Sequence, residues 1–336
     1  MPSTKRNVRW IIGNLLQTYG LFLMVIVLVV IFTALNERFL TLQNLKNVLE
    51  QNAALAIIAV GITFSIISGN FDLSPGATIA LAGVVLALVY TTVQNMWLAA
   101  LAALGVSLLV GLFNGALIAY LDINSVIVTL AAMIWARGVG LALSQADSIP
   151  FKSGLVDFMN NASFLGIGPI ILLIILTYLL GWFILSRTRL GRYTYALGGD
   201  AEASKQAGIN TRLYKLFIFL LSAGLVWVAT VVTVARLSAG APNAVYGLEF
   251  DAIVAVIIGG SSMSGGEGNL GKTVIGVLFI AILNNGLSTL GMRDSSFYLY
   301  KGSIILLALF FEVMSSQILK GQSKASIATE NSVVNA

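Results

Sequence analysis

The sequence contains no cysteine and no histidine. It therefore cannot form disulfides or offer a thiolate nucleophile, and it lacks the usual ligands of haem groups and of zinc sites. Charged residues are also scarce, at 10% of the chain against roughly 25% in an ordinary soluble domain. A soluble globule of 336 residues needs far more polar surface than this, because most of its exterior stays in contact with water.

Apolar residues dominate instead, at 58% of the chain with a mean hydropathy of +0.93. Uncharged runs recur throughout, and one of them extends over 49 residues from Leu73 to Leu121. The net charge of +5 does not indicate a nucleic-acid partner, because the 19 lysine and arginine residues separate apolar runs rather than cluster on a solvated face. The sequence therefore predicts an all-α integral membrane protein whose partner is the lipid bilayer, with no nucleic acid.

A helix needs about 20 apolar residues to cross a bilayer, and fewer where it is broken and buried in a bundle. Charge-free windows predict about ten transmembrane helices in one bundle, some of them short or broken, at residues 10–36, 52–68, two within 73–121, 123–143, 167–185, 215–235, 249–260, 271–291 and 298–317. The polar stretch 91–95 is the predicted turn inside the longest run. Residues 41–50 predict a short interfacial helix with Thr41 as its N-cap.

The positions of lysine and arginine predict the orientation, since cytoplasmic loops are enriched in both. The first apolar run is too long for the core of a signal peptide, so we expect it to be retained as a span. With the N-terminus inside, twelve basic residues fall on the cytoplasmic side and six outside. The predicted organisation is a cytoplasmic tail (1–9), one transmembrane domain (10–317) with a cytoplasmic segment (187–213), and a second cytoplasmic tail (318–336).

Residues 266–273 (GEGNLGKT) satisfy the phosphate-loop pattern G-x-x-x-x-G-K-[ST] to the letter. That pattern requires a preceding strand and a soluble α/β unit that closes around the phosphates, whereas membrane spans flank it here. We interpret it as a glycine-rich cytoplasmic turn that lets two helices approach closely. The chain itself is therefore expected to bind no nucleotide cofactor.

A second local pattern lies in the cytoplasmic segment, around residues 188–210. Asp200 is a good N-cap, residues 201–207 favour a helix, and Gly208 stands where a C′ glycine belongs. These residues predict a two-turn helix outside the bilayer. By themselves they fit either a solvated connector or a docking helix for a cytoplasmic partner.

Further motifs follow one another in order along the chain: GNFDLSPG (69–76), VTL (128–130), RGV (137–139), VARLS (234–238), EFDAI (249–253), the glycines of 259–268 and NNGL (284–287). Together with the segment 188–210, this set resembles the ribose-type monosaccharide permeases of bacterial ABC importers, over roughly residues 40–312. Pro75, the pair Asn70–Phe71 and Phe250 depart from the family pattern, and they bear on which substrate is carried.

The resemblance implies a permease subunit with no ATP site of its own. A second permease subunit, giving a homodimer or a heterodimer with a sister permease, would complete the pathway in a bacterial plasma (inner) membrane, both termini being cytoplasmic. A cytoplasmic ABC ATPase would carry the ATP and Mg²⁺, and an extracytoplasmic sugar-binding protein would deliver a pentose or hexose. The implied coupling residues are Gly199, Asp200, Ala201, Glu202, Ala203, Ala207 and Gly208.

Polar residues at membrane depth are costly unless they face a bundle interior or a water-filled cavity. The candidate residues of the translocation pathway are Asn70, Asp72, Ser74, Asn114, Asn284 and Asn285. Neutral amides suit hydroxylated substrates that must also be released. The alternative is structural: Asn114 would join helices within the G-x-x-x-G of 111–115, and Asp72 or Ser74 would cap the third span.

Arg137 is the only basic residue well inside a predicted span, since Lys215, Lys272 and Lys301 fall among the first residues of theirs. An arginine there either extends to the interface or pairs with a carboxylate. Glu249 and Asp251, expected at the outer start of the eighth span, are its candidate partners. The sequence therefore predicts a structural ion pair.

Two other functions stay open at this point. One is the permease of a related importer for branched-chain amino acids or another small polar solute. The other is an ion-coupled secondary transporter, which is expected to have paired or relay carboxylates in mid-span, whereas here the carboxylates fall mostly at span ends. No nucleophile–base pair or metal-ligand cluster indicates an enzyme, so we expect a transport subunit with no catalytic residue and no metal.

Overall fold

The computed structural model describes residues 8–292, 296–307 and 310, with side chains from Gly20 onward. The helices of these residues are α1 (Val8–Leu35), α2 (Leu42–Gln51), α3 (Ala53–Ile67), α4 (Pro75–Val93), α5 (Met96–Tyr120), α6 (Ser125–Ser144), α7 (Gly154–Asn161), α8 (Pro169–Arg187), α9 (Arg189–Gly199), α10 (Ala201–Gln206), α11 (Thr211–Leu237), α12 (Leu248–Ile258), α13 (Leu270–Thr289) and α14 (Ser296–Leu307). Two short strands, β1 (Ile149–Pro150) and β2 (Ala239–Gly240), pair in antiparallel orientation.

Each of the ten predicted spans coincides with a helix in the described part of the chain. Six of the described helices are long and apolar enough to cross a membrane, namely α4, α5, α6, α8, α11 and α13; α2 and α3 reach that length only together, and they are bent by 47° at the break between them. The apolar part of α1 (Gly20–Leu35), α14 and the 11-residue α12 are shorter. The predicted all-α membrane fold is confirmed. The end of the predicted tenth span and the tails 1–7 and 318–336 lie outside the described residues.

Two predicted local features are also present. The Thr41 hydroxyl accepts a hydrogen bond from the Asn44 N–H at 3.3 Å, so Thr41 caps α2 as expected. The longest apolar run turns at 94–95, where Asn95 accepts bonds from the N–H groups of Trp97 (3.0 Å) and Leu98 (3.1 Å). The interfacial position of α2 stays a prediction.

The chain divides into two compact units, residues 1–45 with 278–336, and residues 46–277. In the first unit the rings of Phe32 and Phe39 lie 5.5 Å apart, and Gly286 leaves the space that the Phe32 ring occupies. The second unit contains the coupling segment and most of the candidate pathway residues. The domain boundaries expected after residues 9 and 317 stay a prediction.

Helix α3 forms the core of the second unit. All of its residues are buried, from Ala53 to Ile67, and it packs against α8, α9, α11 and α12. A helix that is apolar on every side is stable only when other elements surround it. The uniform hydrophobicity of α3 therefore places it at the centre and leaves its polar ends to make the specific contacts.

The predicted close approach through Gly111 and Gly115 joins α5 to α11. A Cβ atom on Gly111 would lie 2.9 Å from the carbonyl oxygen of Phe219, and one on Gly115 would lie 3.1 Å from the Phe219 Cβ. Small residues let two helix backbones approach in this way. The contact brings Asn114, which lies between the two glycines, against the interior of the unit, where it is fully buried.

The start of α12 is not at the outer end of a span, contrary to the prediction. Gly240 packs on the carbonyl group of Gly83, and further along the chain the Glu249 carboxylate packs on Gly76. The segment 240–249 thus runs along α4 over about 10 Å before the helix begins, at 1.5 Å per residue. With about 16 Å of length, α12 is a half-helix, and Glu249 lies deep in the unit.

Candidate coupling and transport sites

Helix α10 has the cap residues that the sequence predicted. The Asp200 Oδ1 atom accepts the N–H of Ala203 at 2.9 Å, which is the N-cap bond. At the other end Gly208 has φ +84°, a left-handed conformation that glycine adopts without steric cost. The helix ends at Gln206 with Ala207 as its C-cap residue. The predicted short capped helix is confirmed.

The outer face of α10 is open. Ser204 is buried against the protein, whereas the other residues from Asp200 to Gly208 are exposed. A groove of about 330 Å³ runs beside the helix, and its charged lining residues are Asp122, Glu202, Lys205, Arg212 and Lys215. Its two ion pairs, Lys205–Glu202 at 3.8 Å and Lys215–Asp122 at 3.9 Å, are at the surface. Such a face can receive a partner without rearrangement of the core.

A single residue, Asp200, connects α10 to α9. The N–H of Asp200 donates to the carbonyl group of Ala196, which closes α9, while its side chain opens α10. Helix α9 is anchored in the body of the unit, since Leu190 and Tyr195 pack on the apolar cluster that contains Phe64, Ile67 and Leu270. Helix α10 is therefore an exposed extension of a fixed element.

The glycines of the phosphate-loop-like segment contact α9. Gly265 and Gly266 have φ +84° and +74°, and the Gly266 N–H donates to the carbonyl oxygen of Ile67 at 2.8 Å. The Tyr195 hydroxyl donates to the carbonyl oxygen of Gly268 at 2.8 Å, and partial burial raises the pKa of this phenol. A helix, α12, precedes the segment where a nucleotide-binding loop requires a strand. The interpretation as a turn for close helix approach fits this geometry.

Four polar residues meet where the chain breaks between α3 and α4. Asp72 Oδ1 accepts the N–H of Ser74 at 3.0 Å and its hydroxyl at 2.7 Å, and Asp72 Oδ2 accepts the hydroxyl of Ser222 at 3.0 Å. Asn114 donates to the Ser74 Oγ at 3.0 Å. We call Asp72, Ser74, Asn114 and Ser222 the polar cluster; all four residues are buried.

The remaining pathway candidates make hydrogen bonds to other partners. The side-chain amide of Asn70 donates hydrogen bonds to the carbonyl oxygen and to the hydroxyl oxygen of Ser68. In the first unit Asn285 and Asn44 exchange amide hydrogen bonds of 2.9 and 3.2 Å, and Asn284 is half-buried beside Asn285. The N-cap residue of α4 is Ser74, without a side-chain cap bond, and the Asp72 carboxylate accepts the N–H of Ser74, so Asp72 satisfies a backbone group at the break and does not cap the helix. A pathway role for the six residues stays a prediction.

The predicted ion pair of Arg137 requires a correction. Its guanidinium group donates to the carbonyl oxygens of Pro242 (3.1 Å) and Ala244 (3.4 Å) and lies 4.9 Å from the centre of the Tyr246 ring. The charge of Arg137 also acts on the Glu249 carboxylate, but in the part of the chain that the structure describes no direct ion pair joins Arg137 to Glu249 or Asp251. The segment before α12 is not helical, so its carbonyl groups are available to accept hydrogen bonds from the Arg137 guanidinium group.

A family model described as "Branched-chain amino acid transport system / permease component" matches residues 44–312, which is most of the chain. The chain belongs to this family of ABC transporter permeases. The match covers α9, α10, the glycine turn and the polar cluster. The chain is therefore a transport subunit without a catalytic role, as predicted.

The curated relatives of this chain include permeases named for sugars. The ribose import permease protein RbsC of Escherichia coli (strain K12) is 37% identical over 293 residues, covering 85% of this chain and 91% of its own. The D-allose transport system permease protein AlsC of the same organism is 34% identical, covering 89% and 92%. Its galactofuranose transporter permease protein YtfT is 33% identical, covering 79% and 78%. No solved structure gives a significant match to the chain.

Membership in the family confirms the resemblance to the ribose-type permeases and carries two general consequences. A permease of an ABC importer works with an ATPase and a binding protein, so this chain has partners of both kinds. It is also a multi-pass membrane protein homologous to permeases of the bacterial inner membrane. The exposed α10 and the buried polar cluster are the two candidate sites among the described residues.

Sequence reasoning missed three contributors to these sites. Ser222 completes the polar cluster, Asn44 completes the amide pair with Asn285, and Gly198 contacts the glycine turn. Ser222 stands beside Ala223 and Gly224 within an apolar run, and small residues of this kind are typical of helix contacts. That signal indicates a contact face, although it does not identify the partner.

Proposed function

We propose that this chain is the membrane permease of an ABC importer that moves a monosaccharide, of the pentose or hexose type, into a bacterial cell. The observation that carries the proposal is that permeases named for ribose, D-allose and galactofuranose each align with more than three quarters of it. All three names refer to monosaccharides. An extracytoplasmic binding protein delivers the sugar and contributes most of the selection.

The ATPase engages the permease at α10. The residues we assign to this contact are Gly199, Asp200, Ala201, Glu202, Ala203, Ala207 and Gly208. The support is geometric: a capped helix with an open face and a charged groove extends from α9, which is itself anchored in the core. A rigid helix transmits a displacement that a flexible loop would absorb. ATP and Mg²⁺ are held by the ATPase.

The sugar passes polar groups in the interior of the bundle. The amide of Asn114 supports this assignment, since its Oδ1 atom is buried and accepts no hydrogen bond from any described residue. A buried acceptor without a partner is costly, and a substrate hydroxyl or a water molecule would satisfy it. Asn70, Asp72, Ser74, Asn284 and Asn285 are the other residues assigned to the pathway.

The complex contains a second permease subunit, as a homodimer, and both chain termini face the cytoplasm. The orientation rests on the twelve-to-six distribution of basic residues. Reporter fusions after Gln145 and after Ala201 test it, because these positions are predicted on opposite sides. Reporters that give the same side for both positions would contradict the orientation.

The substrate is tested with the permease reconstituted in liposomes together with its ATPase and binding protein. A panel of labelled pentoses and hexoses is offered with ATP inside the vesicles, and leucine and valine are included. We expect uptake of at least one monosaccharide that requires ATP and is unaffected by collapsing proton or sodium gradients. Uptake driven by an ion gradient without the ATPase would identify a secondary transporter instead.

Substitutions in α10 test the docking assignment. Ala203→Trp and Ala207→Trp place a bulky ring on the open face, and Gly208→Val places a β-branched residue in the left-handed region. We expect normal membrane levels, weaker ATPase association and lost uptake for all three. Lys46→Ala, far along the chain from α10, is the control. Wild-type uptake in all three variants would show that the ATPase docks elsewhere.

A branched-chain amino acid is the second candidate substrate, because the matching family model is named for the transport of such amino acids. The same panel separates the two candidates. Uptake of leucine or valine with no monosaccharide transported would replace the sugar by an amino acid, while the role of permease would stand.

A further inference from the structure

Five glycines bring three backbone segments into direct contact at the base of α3. Gly69 follows α3, Gly198 and Gly199 end α9, and Gly265 and Gly266 belong to the turn before α13. We call this contact the glycine junction. A Cβ atom on Gly265 would lie 2.9 Å from the Gly69 Cα, and one on Gly266 would lie 3.0 Å from the Gly199 Cα.

Gly198 stands at the centre of the glycine junction. A Cβ atom there would collide with the carbonyl oxygen of Ile67 and with the backbone nitrogen of Gly266. These two atoms are themselves joined by the 2.8 Å hydrogen bond between the Gly266 N–H and the Ile67 carbonyl group. The end of α9 therefore rests on a hydrogen bond between α3 and the turn, with no side chain in between.

The glycine junction lies between the two candidate sites. On one side only Asp200 separates it from α10. On the other side Gly69 leads through a short non-helical stretch to Asp72 and Ser74 of the polar cluster. A displacement of α10 thus has a short route, through backbone atoms in contact, to the break between α3 and α4.

We propose that the glycine junction transmits movement of α10 to the break at residues 68–74, so that ATPase action rearranges the polar cluster. This inference rests on the proposed function. Side chains at an interface can absorb a displacement by changing rotamer, whereas touching backbones cannot. Close-packed groups transmit strain, and coupling between sites is carried by such contiguous contacts.

The Tyr195 hydroxyl is the second element of this route. It ties α9 to the turn through the Gly268 carbonyl oxygen at 2.8 Å, so α9 and the turn move together. Tyr193, on the same helix, has a ring contact with Tyr214 at 4.6 Å, and its hydroxyl is not part of the junction. Substitution of either tyrosine by phenylalanine removes one oxygen atom, so Tyr193→Phe is the matched control for Tyr195→Phe.

The first experiment measures sugar transported per ATP hydrolysed in reconstituted vesicles. For Gly198→Ala we expect this ratio to fall about tenfold, with ATPase co-purification unchanged. Gly224→Ala is the control, because a Cβ atom on this helical glycine meets nothing within 4 Å. For Tyr195→Phe we expect a fall of about threefold, as for one lost hydrogen bond, and Tyr193→Phe should match the wild type.

The second experiment does not depend on the substrate. Hydrogen exchange of residues 68–74 is compared in the permease–ATPase complex without nucleotide and with ADP and vanadate. We expect nucleotide to change the exchange in the wild type and in Tyr193→Phe, and to change it markedly less in Tyr195→Phe. If Gly198→Ala does not reach the membrane, the comparison of Tyr195→Phe with Tyr193→Phe tests the proposal by itself.

The outcomes separate the two proposals. A wild-type transport ratio and a wild-type exchange response in both Gly198→Ala and Tyr195→Phe would overturn the inference, as would loss of ATPase binding in both. An exchange response that Tyr195→Phe weakens, without uptake of any sugar by the wild type, would refute the sugar substrate and leave the glycine junction standing.

Discussion

Helix α10 and the polar cluster differ in the range of the contacts that hold them. In α10 the cap bond joins Asp200 to Ala203, three residues apart. Gly208, two residues after the last helical residue, terminates the helix. In the polar cluster Asp72 bonds to a serine 150 residues away, and Ser74 to an asparagine 40 residues away. The first site is exposed and the second is buried. Changes in α10 should therefore alter transport without unfolding the protein, whereas changes in the cluster should affect both.

The largest effect on stability is expected for Asp72→Ala. The substitution leaves the hydroxyl groups of Ser74 and Ser222 and the N–H of Ser74 without their acceptor, and the unsatisfied buried donors should cost about 3 kcal/mol. Thermal unfolding of the purified protein, followed by tryptophan fluorescence, measures the loss. The exposed Asp147→Ala is the control. Equal melting temperatures for the two variants would remove the contrast between the cluster and the surface.

A somewhat smaller loss is expected for Gly111→Ala, at the contact of α5 with α11 that positions Asn114. The added methyl group meets the Ala223 Cβ and the Phe219 carbonyl oxygen, and overpacking of this kind costs about 2 kcal/mol. On the same helix Gly105 has open space around its Cβ position. Gly105→Ala should therefore be neutral or slightly stabilising. Equal destabilisation by the two substitutions would show that α5 is not held by this contact.

Asn114→Ala should cost about 1 kcal/mol, because it removes one interhelical hydrogen bond, to Ser74. If its unpartnered Oδ1 atom serves the sugar, uptake per folded molecule should fall well beyond this change in stability. The measurement is initial uptake rate against melting temperature, with Asn285→Ala, which breaks the amide pair with Asn44, for comparison. Uptake that simply follows the amount of folded protein would leave Asn114 with a structural role alone.

The smallest effect on stability is expected for Asp200→Ala. Loss of the N-cap bond costs α10 about 1 kcal/mol locally, which corresponds to about a fivefold change in the population of the helix. The global melting temperature should not change, because α10 is outside the core. Uptake should fall severalfold, and Asp200→Ser, which retains a capping oxygen, should restore most of it. A lowered melting temperature for Asp200→Ala would contradict the separation of the two sites.

Local patterns explain which features could be predicted. Asp200 and Gly208 delimit α10, and Asn95 opens α5, because an N-cap bond joins residues two or three positions apart and a C′ glycine acts through its own backbone conformation. The pair Gly111–Gly115 indicated a close helix contact for the same reason. These interactions form within one element or one turn, so the order of the residues is sufficient to locate them.

The partners of the interior side chains could not be predicted in this way. Arg137 was expected to pair with a carboxylate and instead binds the carbonyl groups before α12. The error has a physical cause: Glu249 was placed at an outer helix end, whereas the half-helix begins about 10 Å along α4. A pattern of apolar residues locates a span in the sequence and does not reveal where the chain enters the bundle.

The sequence by itself determined that this is a helical membrane protein, where its spans lie, and that a short capped helix follows Asp200. These follow from composition, hydrophobic run length and local hydrogen bonding. Only the tertiary structure decided that Ser222 meets Asp72, that Gly198 touches Ile67 and Gly266, and that Arg137 has no carboxylate partner in contact. Such contacts join segments distant in the chain, and they depend on how the helices pack. The apolar surfaces of these helices are compatible with more than one packing arrangement, so the sequence pattern does not select the contacts.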